Sequence, residues 1–136
     1  MVYTCEKIIS SEIKGRPQDK IASAKYSVWL QESDKALCVD GKNSSGTELG
    51  KGATNGDSKL PQSNQAISGM WSQELTVNDD SWRLTQTNDA STAKLYPNNP
   101  KNYDHYFMDL KNSELTVANP TGVKSFATFK MSCIKN

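Results

Sequence analysis

One histidine and three cysteines are the first residues to consider for zinc-dependent or histidine-assisted nucleophilic chemistry in this chain. His105, in the segment YDHYF, would need a paired nucleophile to form a catalytic centre, and no motif identifies one. The sequence has neither a second histidine nor a closely spaced cysteine pair to complete a zinc site. We therefore predict no catalytic residue, no metal site and no cofactor, and we interpret His105 as a packed or surface residue.

Aromatic side chains indicate binding more clearly than catalysis. Trp29, in KYSVWLQ, lies opposite the alternating apolar positions of its segment, so it is expected on the outer or cavity-lining face. Trp71 and Tyr106 also flank turn-like segments. The apolar strand partners of Trp82 favour packing in the core, and those of Trp71 favour it as well. Because such rings provide large contact areas at partner or sugar surfaces, Trp29, Trp71 and Tyr106 are candidate binding residues.

Two cysteines lie on the first and last apolar alternations of the chain. Cys5 follows MVYT, and Cys133 ends the alternating series of SFATFKMSCIKN. If the terminal strands are neighbours, Cys5 and Cys133 face each other and form a disulfide, which favours a secreted or periplasmic protein. A Cys5–Cys38 bridge is the alternative pairing. The alternative compartment is the cytoplasm, where all three cysteines would be thiols.

Alternation of apolar and polar residues recurs along the chain, and helical spacing is almost absent. Since no helices connect the strands, neighbouring strands are expected to be antiparallel. The sequence predicts one all-β domain over 1–136, an antiparallel meander of about eight or nine strands in a closed or nearly closed small barrel. A β-sandwich is the alternative, and the Gly-, Ser- and Asn-rich segment 41–65 is expected to be a long polar surface loop.

Composition limits the partners of this chain. Its 136 residues have a formal net charge of +1, so no overall field attracts nucleic acid. No apolar run approaches the roughly 20 residues that a membrane-spanning helix needs. We therefore expect neither nucleic-acid binding nor a membrane span.

A short set of residues resembles the periplasmic C-type lysozyme inhibitors. The set comprises YTC near the N-terminus, cysteines on both terminal strands, and Ser68-Gly69 before a strand. The resemblance implies binding through the loop that contains Ser68. Met70 and Trp71 depart from the family's pattern, in which a short segment ending in tyrosine follows.

These observations favour a non-enzymatic, secreted or periplasmic module that binds a protein, such as an inhibitor or an immunity protein. The alternative is a lipocalin-like carrier that holds a small apolar ligand inside a barrel, because a barrel of about eight strands can enclose one. The third hypothesis is that the chain is an uncharacterised enzyme.

Overall fold

The computed structural model describes residues 1–33, 35–54, 59–61 and 70–136, and for 59–61, 70 and 71 it describes the backbone alone. Within these ranges the chain forms ten strands and one short helix. In chain order the elements are β1 (Val2–Ile13), β2 (Lys25–Gln31), β3 (Ala36–Lys42), β4 (Glu48–Thr54), β5 (Lys59–Pro61), β6 (Met70–Val77), β7 (Ser81–Asn88), α1 (Ala90–Leu95), β8 (Asn102–Asp109), β9 (Glu114–Ala118) and β10 (Ala127–Lys135).

The described strands form one sheet in the order β4-β3-β2-β1-β10-β9-β8-β7-β6-β5. Every neighbouring pair in this order is antiparallel. The order begins with β4 and ends with β5, which are consecutive in the chain. The sheet curls so that Tyr26 of β2 and Tyr106 of β8 lie 6.2 Å apart between ring centroids, and Thr54 of β4 donates to Gln73 of β6 at 3.1 Å. The barrel is therefore nearly closed, with a seam between β4 and β5. The predicted all-β antiparallel meander is therefore confirmed.

The interior of the barrel is filled by apolar side chains that alternate along the strands. Leu84, Met108, Leu115, Phe129 and Met131 are each at most 2% exposed. Because protein interiors pack as densely as organic crystals, these side chains fill the part of the barrel interior that they occupy.

The terminal strands meet as the cysteine alternation predicts. Cys5 pairs directly with Cys133 across β1 and β10, and the two form a disulfide with a Cα–Cα distance of 4.0 Å. Cys38 lies on β3 as a buried thiol, so the alternative Cys5–Cys38 bridge is excluded.

The segment 41–65 contains strands where the sequence predicts a loop. Glu48–Thr54 forms β4, which pairs with β3 from Leu37↔Thr54 to Lys42↔Glu48. Backbone hydrogen bonds to β3 stabilise this strand, and they require no apolar alternation. Lys59–Pro61 forms β5, while 55–58 and 62–65 lie outside the described residues.

The segment STAKLYP, which ends at Pro97, is a shorter strand candidate by its sequence, and the structure corrects this expectation. It contributes to α1, in which the Asp89 side chain caps the helix by accepting a hydrogen bond from the Thr92 amide at 2.9 Å. This helix has six residues, too few to cross a membrane. In the described part of the chain, none of the helices has the length and apolar character that a membrane span requires.

Candidate binding cleft

The side chains that β7 directs into the barrel change from apolar to polar along the strand. Trp82 and Leu84 are 3% and 2% exposed in the core. The next positions of the same alternation are Gln86 and Asn88. Because side chains two apart point to one face of a strand, both amides project into the barrel at the end away from the chain termini.

A β-bulge on β8 places His105 beside this polar end. Leu84 pairs with Tyr106 but Thr85 pairs with Asp104, so His105 is the extra residue on β8. Bulges re-aim side chains, and here His105 and Tyr106 line the same small cavity. The β8–β9 ladder ends at the pair Tyr106–Val117, one residue before Ala118. The carbonyl of Ala118 lies 2.7 Å from Nδ1 of His105.

The Tyr103 hydroxyl is the centre of a hydrogen-bond network at the same end. It accepts hydrogen bonds from Nε2 of Gln86 at 2.7 Å and from Nδ2 of Asn119 at 3.1 Å. Gln86 also donates to Oδ1 of Asn88 at 3.1 Å, and Asn88 donates to the carbonyl of Pro100 at 3.2 Å. Buried polar groups are costly without partners, so this network holds the amides in fixed positions.

The polar end opens into a cleft of about 610 Å³. Its lining includes five side-chain amides: Gln73, Gln86, Asn88, Asn99 and Asn119. A smaller cavity of about 190 Å³ adjoins it along the β4–β5 seam and shares His105 and Gln73 with it. The smaller cavity is also lined by Leu37, Val39 and Leu84, so it lies against the apolar core.

Loops and α1 complete the walls of the cleft. Tyr96, at the end of α1, is 41% exposed, and Phe126 packs edge-on against Tyr103 with 5.2 Å between ring centroids. Thr121 and Ser125 line the cleft from the connection between β9 and β10. The amide of Thr121 donates to the carbonyl of Leu49 at 3.2 Å, which attaches this connection to β4.

Few groups in the cleft ionise near neutral pH. Burial lowers the pKa of His105, and its contact with the carbonyl of Ala118 only partly opposes that effect. Burial raises the pKa of Tyr103, and burial with the nearby Tyr103 raises the pKa of Tyr106 to about 12. Lys51 and Lys124 also line the cleft, and both are exposed.

The tautomer of His105 follows from its partner. A carbonyl oxygen can only accept, so Nδ1 carries the proton and donates to Ala118. In the neutral imidazole Nε2 is then an acceptor, and no described residue donates to it. The described lining contains no acidic residue and no cysteine, so it offers hydrogen bonds but no carboxylate or thiolate for acid–base or nucleophilic chemistry.

The structure separates the binding residues that the sequence suggested. Tyr106 is 5% exposed and lines the smaller cavity. Trp29 is half-buried on β2, where it pairs with Val2 and Cys38, and it lines neither cavity. Trp71 pairs through its backbone with Asn88, and Ser68 lies outside the described residues.

Sequence reasoning missed the amides that line the cleft. The period-two alternation of SWRLTQTN continues past its apolar positions to Gln86 and Asn88, and this continuation is the signal that could have placed them inside the barrel. Gln73 carries the same signal, because it lies between Trp71 and Leu75 in the alternation of β6. Asn119 carries none, because it follows the end of β9.

Across the described residues, no group of three acidic, histidine or cysteine side chains could hold a metal ion.

The chain matches no family model, no curated protein and no solved structure, so the comparisons add no support to the likeness between a few of its residues and the lysozyme inhibitors.

Proposed function

We propose that this chain is a non-enzymatic binding domain and that the cleft at the polar end of the barrel is its binding site. The observation that carries this proposal is a cleft of about 610 Å³, lined with amides, at one end of a barrel whose core consists of buried apolar side chains. Convergent polar groups in a concave site are typical of ligand recognition.

The partner that we propose is a protein, as expected for an inhibitor or immunity protein. The cleft opens to solvent, so a protruding segment of a partner can reach Gln86 and His105 without any opening of the barrel. A carrier of small apolar ligands is less well supported. The cavity lined by Leu37, Val39 and Leu84 has only about 190 Å³, below the roughly 300–1,000 Å³ that is usual for small-molecule sites, and the wall of the larger cleft is rich in amides.

The absence of acidic residues from the described cleft lining supports binding rather than catalysis. Nδ1 of His105 is engaged by the carbonyl of Ala118, and the described lining holds no carboxylate that could orient the ring as in a catalytic triad.

We also propose that the protein is secreted or periplasmic. The Cys5–Cys133 disulfide supports this location, because disulfides persist mainly in oxidising compartments.

A matched pair of tryptophan substitutions tests the binding site. Thr121 is exposed and lines both cavities, whereas Thr87 is exposed on β7 and lines neither. Thr121→Trp should obstruct the cleft, and Thr87→Trp should leave it open. Each variant and the wild type would be immobilised and exposed to the envelope and secreted proteins of the native organism, with bound proteins quantified by mass spectrometry.

We expect at least one protein to bind the wild type and Thr87→Trp but not Thr121→Trp. Equal recovery of every captured protein on the two variants would overturn the assignment of the cleft.

A further inference from the structure

We propose that the cleft binds carbohydrate, an uncharged ligand whose ring carries several adjacent hydroxyl groups. This inference rests on the proposed function, since it assumes that the cleft is the binding site. The hydroxyls would come either from a free oligosaccharide or from a glycan on a partner protein.

The hydrogen-bonding groups of the cleft match hydroxyls because they combine donors with acceptors. Each sugar hydroxyl donates one hydrogen bond and accepts others, and side-chain amides offer both functions. Nε2 of His105 and Oε1 of Gln86 are acceptors that no described residue occupies. Gln73 accepts from Thr54 at 3.1 Å through Oε1, and no described residue accepts from its Nε2.

These groups are also held in place before a ligand arrives. The Gln86 amide donates to Tyr103 and to Asn88, so its Oε1 has a fixed direction. The imidazole of His105 is oriented by Ala118 and lies 4.3 Å from the Tyr106 ring, centroid to centroid. Fixed polar groups lose little conformational entropy on binding, which favours a ligand held by many hydrogen bonds.

The charges of the cleft favour an uncharged ligand over an anion. His105 is neutral and Tyr103 keeps its proton at neutral pH, because burial shifts each pKa toward its uncharged form. Lys51 and Lys124 are exposed, and solvent screens charges at such positions. An anion deep in the cleft would therefore lose its hydration without gaining a buried cation.

Aromatic rings supply the apolar part of a sugar site. Phe126 and the partly exposed Tyr96 line the same cleft as the amides. Aromatic faces bury the C–H surface of a ligand while neighbouring polar groups bind its hydroxyls. The volume of about 610 Å³ falls within the range of roughly 300–1,000 Å³ that is usual for small-molecule sites.

His105 provides a specific reporter for the test because it is the sole histidine in the chain. The probe would be a panel of neutral, N-acetylated and acidic oligosaccharides, first immobilised and then added in solution to the full chain. Binding would be followed through the ring-proton NMR signals of His105 and by calorimetry. We expect a neutral or N-acetylated oligosaccharide to shift these signals saturably, with an affinity that changes little with salt.

Two variants identify the groups responsible. Gln86→Leu should weaken binding about tenfold, because it removes one hydrogen-bonding group from the cleft. Thr87→Val, at the exposed neighbouring position on β7, should bind as the wild type does. If Gln86→Leu fails to fold, as judged by the dispersion of its NMR signals, Thr121→Trp replaces it and should abolish binding. Unchanged affinity in the folded cleft variant would overturn the proposal.

The remaining outcomes separate this inference from the proposed function. Binding of acidic oligosaccharides alone, lost at high salt, would overturn the preference for an uncharged ligand. If no oligosaccharide binds, and a protein partner that requires the open cleft still binds after enzymatic deglycosylation, the carbohydrate proposal is wrong. The proposal that the chain is a binding domain is then retained. A partner that loses binding on deglycosylation supports a glycan on a protein, and direct binding of the oligosaccharide supports the free form.

Discussion

The two ends of the barrel are built on different principles. At the end that holds the chain termini, tight turns join the strands: the Asn78 side chain accepts from the amides of Asp80 and Ser81, both at 2.9 Å, and that of Asp109 accepts from Lys111 at 3.0 Å. At the other end, longer connections over 89–101 and 119–126 surround a cleft lined by side-chain amides.

This difference separates stability from recognition. Burial of apolar side chains contributes most of the favourable free energy of folding, whereas each exchanged hydrogen bond contributes only about 1 kcal/mol. The middle of the barrel and the end that holds the chain termini should therefore contribute most of the free energy of folding. The polar end can carry binding groups with little loss of stability. Four measurements test this division, beginning with the largest expected effect.

Loss of the disulfide should destabilise the protein most. Cys5 and Cys133 are separated by 128 positions, and on the chain-entropy model a bridge over so long a loop contributes about 4–5 kcal/mol. The double variant Cys5→Ala with Cys133→Ala should lose that much free energy of unfolding, measured by urea denaturation. Cys38→Ala, at a buried thiol, should cost clearly less; equal losses would contradict a special contribution from the bridge.

Truncation in the apolar core should cost more than loss of an amide in the cleft. Leu115 is 0% exposed, so Leu115→Ala should lower the free energy of unfolding by about 2–5 kcal/mol. Gln86→Leu should lower it by about 1 kcal/mol, because it removes hydrogen bonds that water in the cleft partly replaces. Similar losses for the two variants, measured by the same denaturation, would make the cleft amides structural and remove the contrast between the ends.

The junction between the two ends depends on a close contact between Gly50 and Tyr106. A Cβ at Gly50 would overlap the Tyr106 hydroxyl but would lie 3.5 Å from the ring carbon that bears it. Gly50→Ala should therefore cost about 1–3 kcal/mol through overpacking. Tyr106→Phe removes the hydroxyl, so a double-mutant cycle should recover most of that loss; a cost independent of residue 106 would contradict the contact.

The smallest effect should appear as a pH dependence at the polar end. Burial lowers the pKa of His105 below its ordinary value of 6.5, so the unfolded chain binds more protons than the folded protein between 6.5 and the folded pKa. Stability should therefore fall as the pH decreases through this window and then level off.

NMR titration of the single histidine measures the folded pKa, and His105→Asn should remove this part of the pH dependence. Asp109, at the other end, has a pKa lowered mainly by its hydrogen bond with Asn112. Its contribution is present above the ordinary value of 3.8 and is lost only at more acidic pH, so the two effects are separable. A His105 pKa at or above 6.5 would contradict the buried, neutral imidazole.

The amino-acid sequence by itself determined the strand class and the joining of the termini. Period-two alternation reflects the geometry of a strand, which sends successive side chains to opposite faces, so it predicts strands such as β7 and β10 from local residues alone. The positions of Cys5 and Cys133 on the terminal alternations predicted their pairing, because antiparallel closure brings those strands together. The packing of Trp82 followed from the same pattern.

Tertiary structure decided the parts that local pattern does not encode. β4 forms in a Gly-rich segment because β3 supplies its hydrogen bonds and because Gly50 leaves space for Tyr106. The bulge that aims His105 into the cleft arises from the register between β7 and β8, which no single segment specifies.

The cleft itself is assembled from residues that are distant in the chain. Gln73, Gln86 and Asn119 come from β6, β7 and the connection after β9. Local alternation can place Gln73 and Gln86 on an inward face, but only closure of the barrel brings them to one opening with Asn119. The sequence could therefore predict the scaffold, but the binding site depends on long-range contacts that the closed sheet creates.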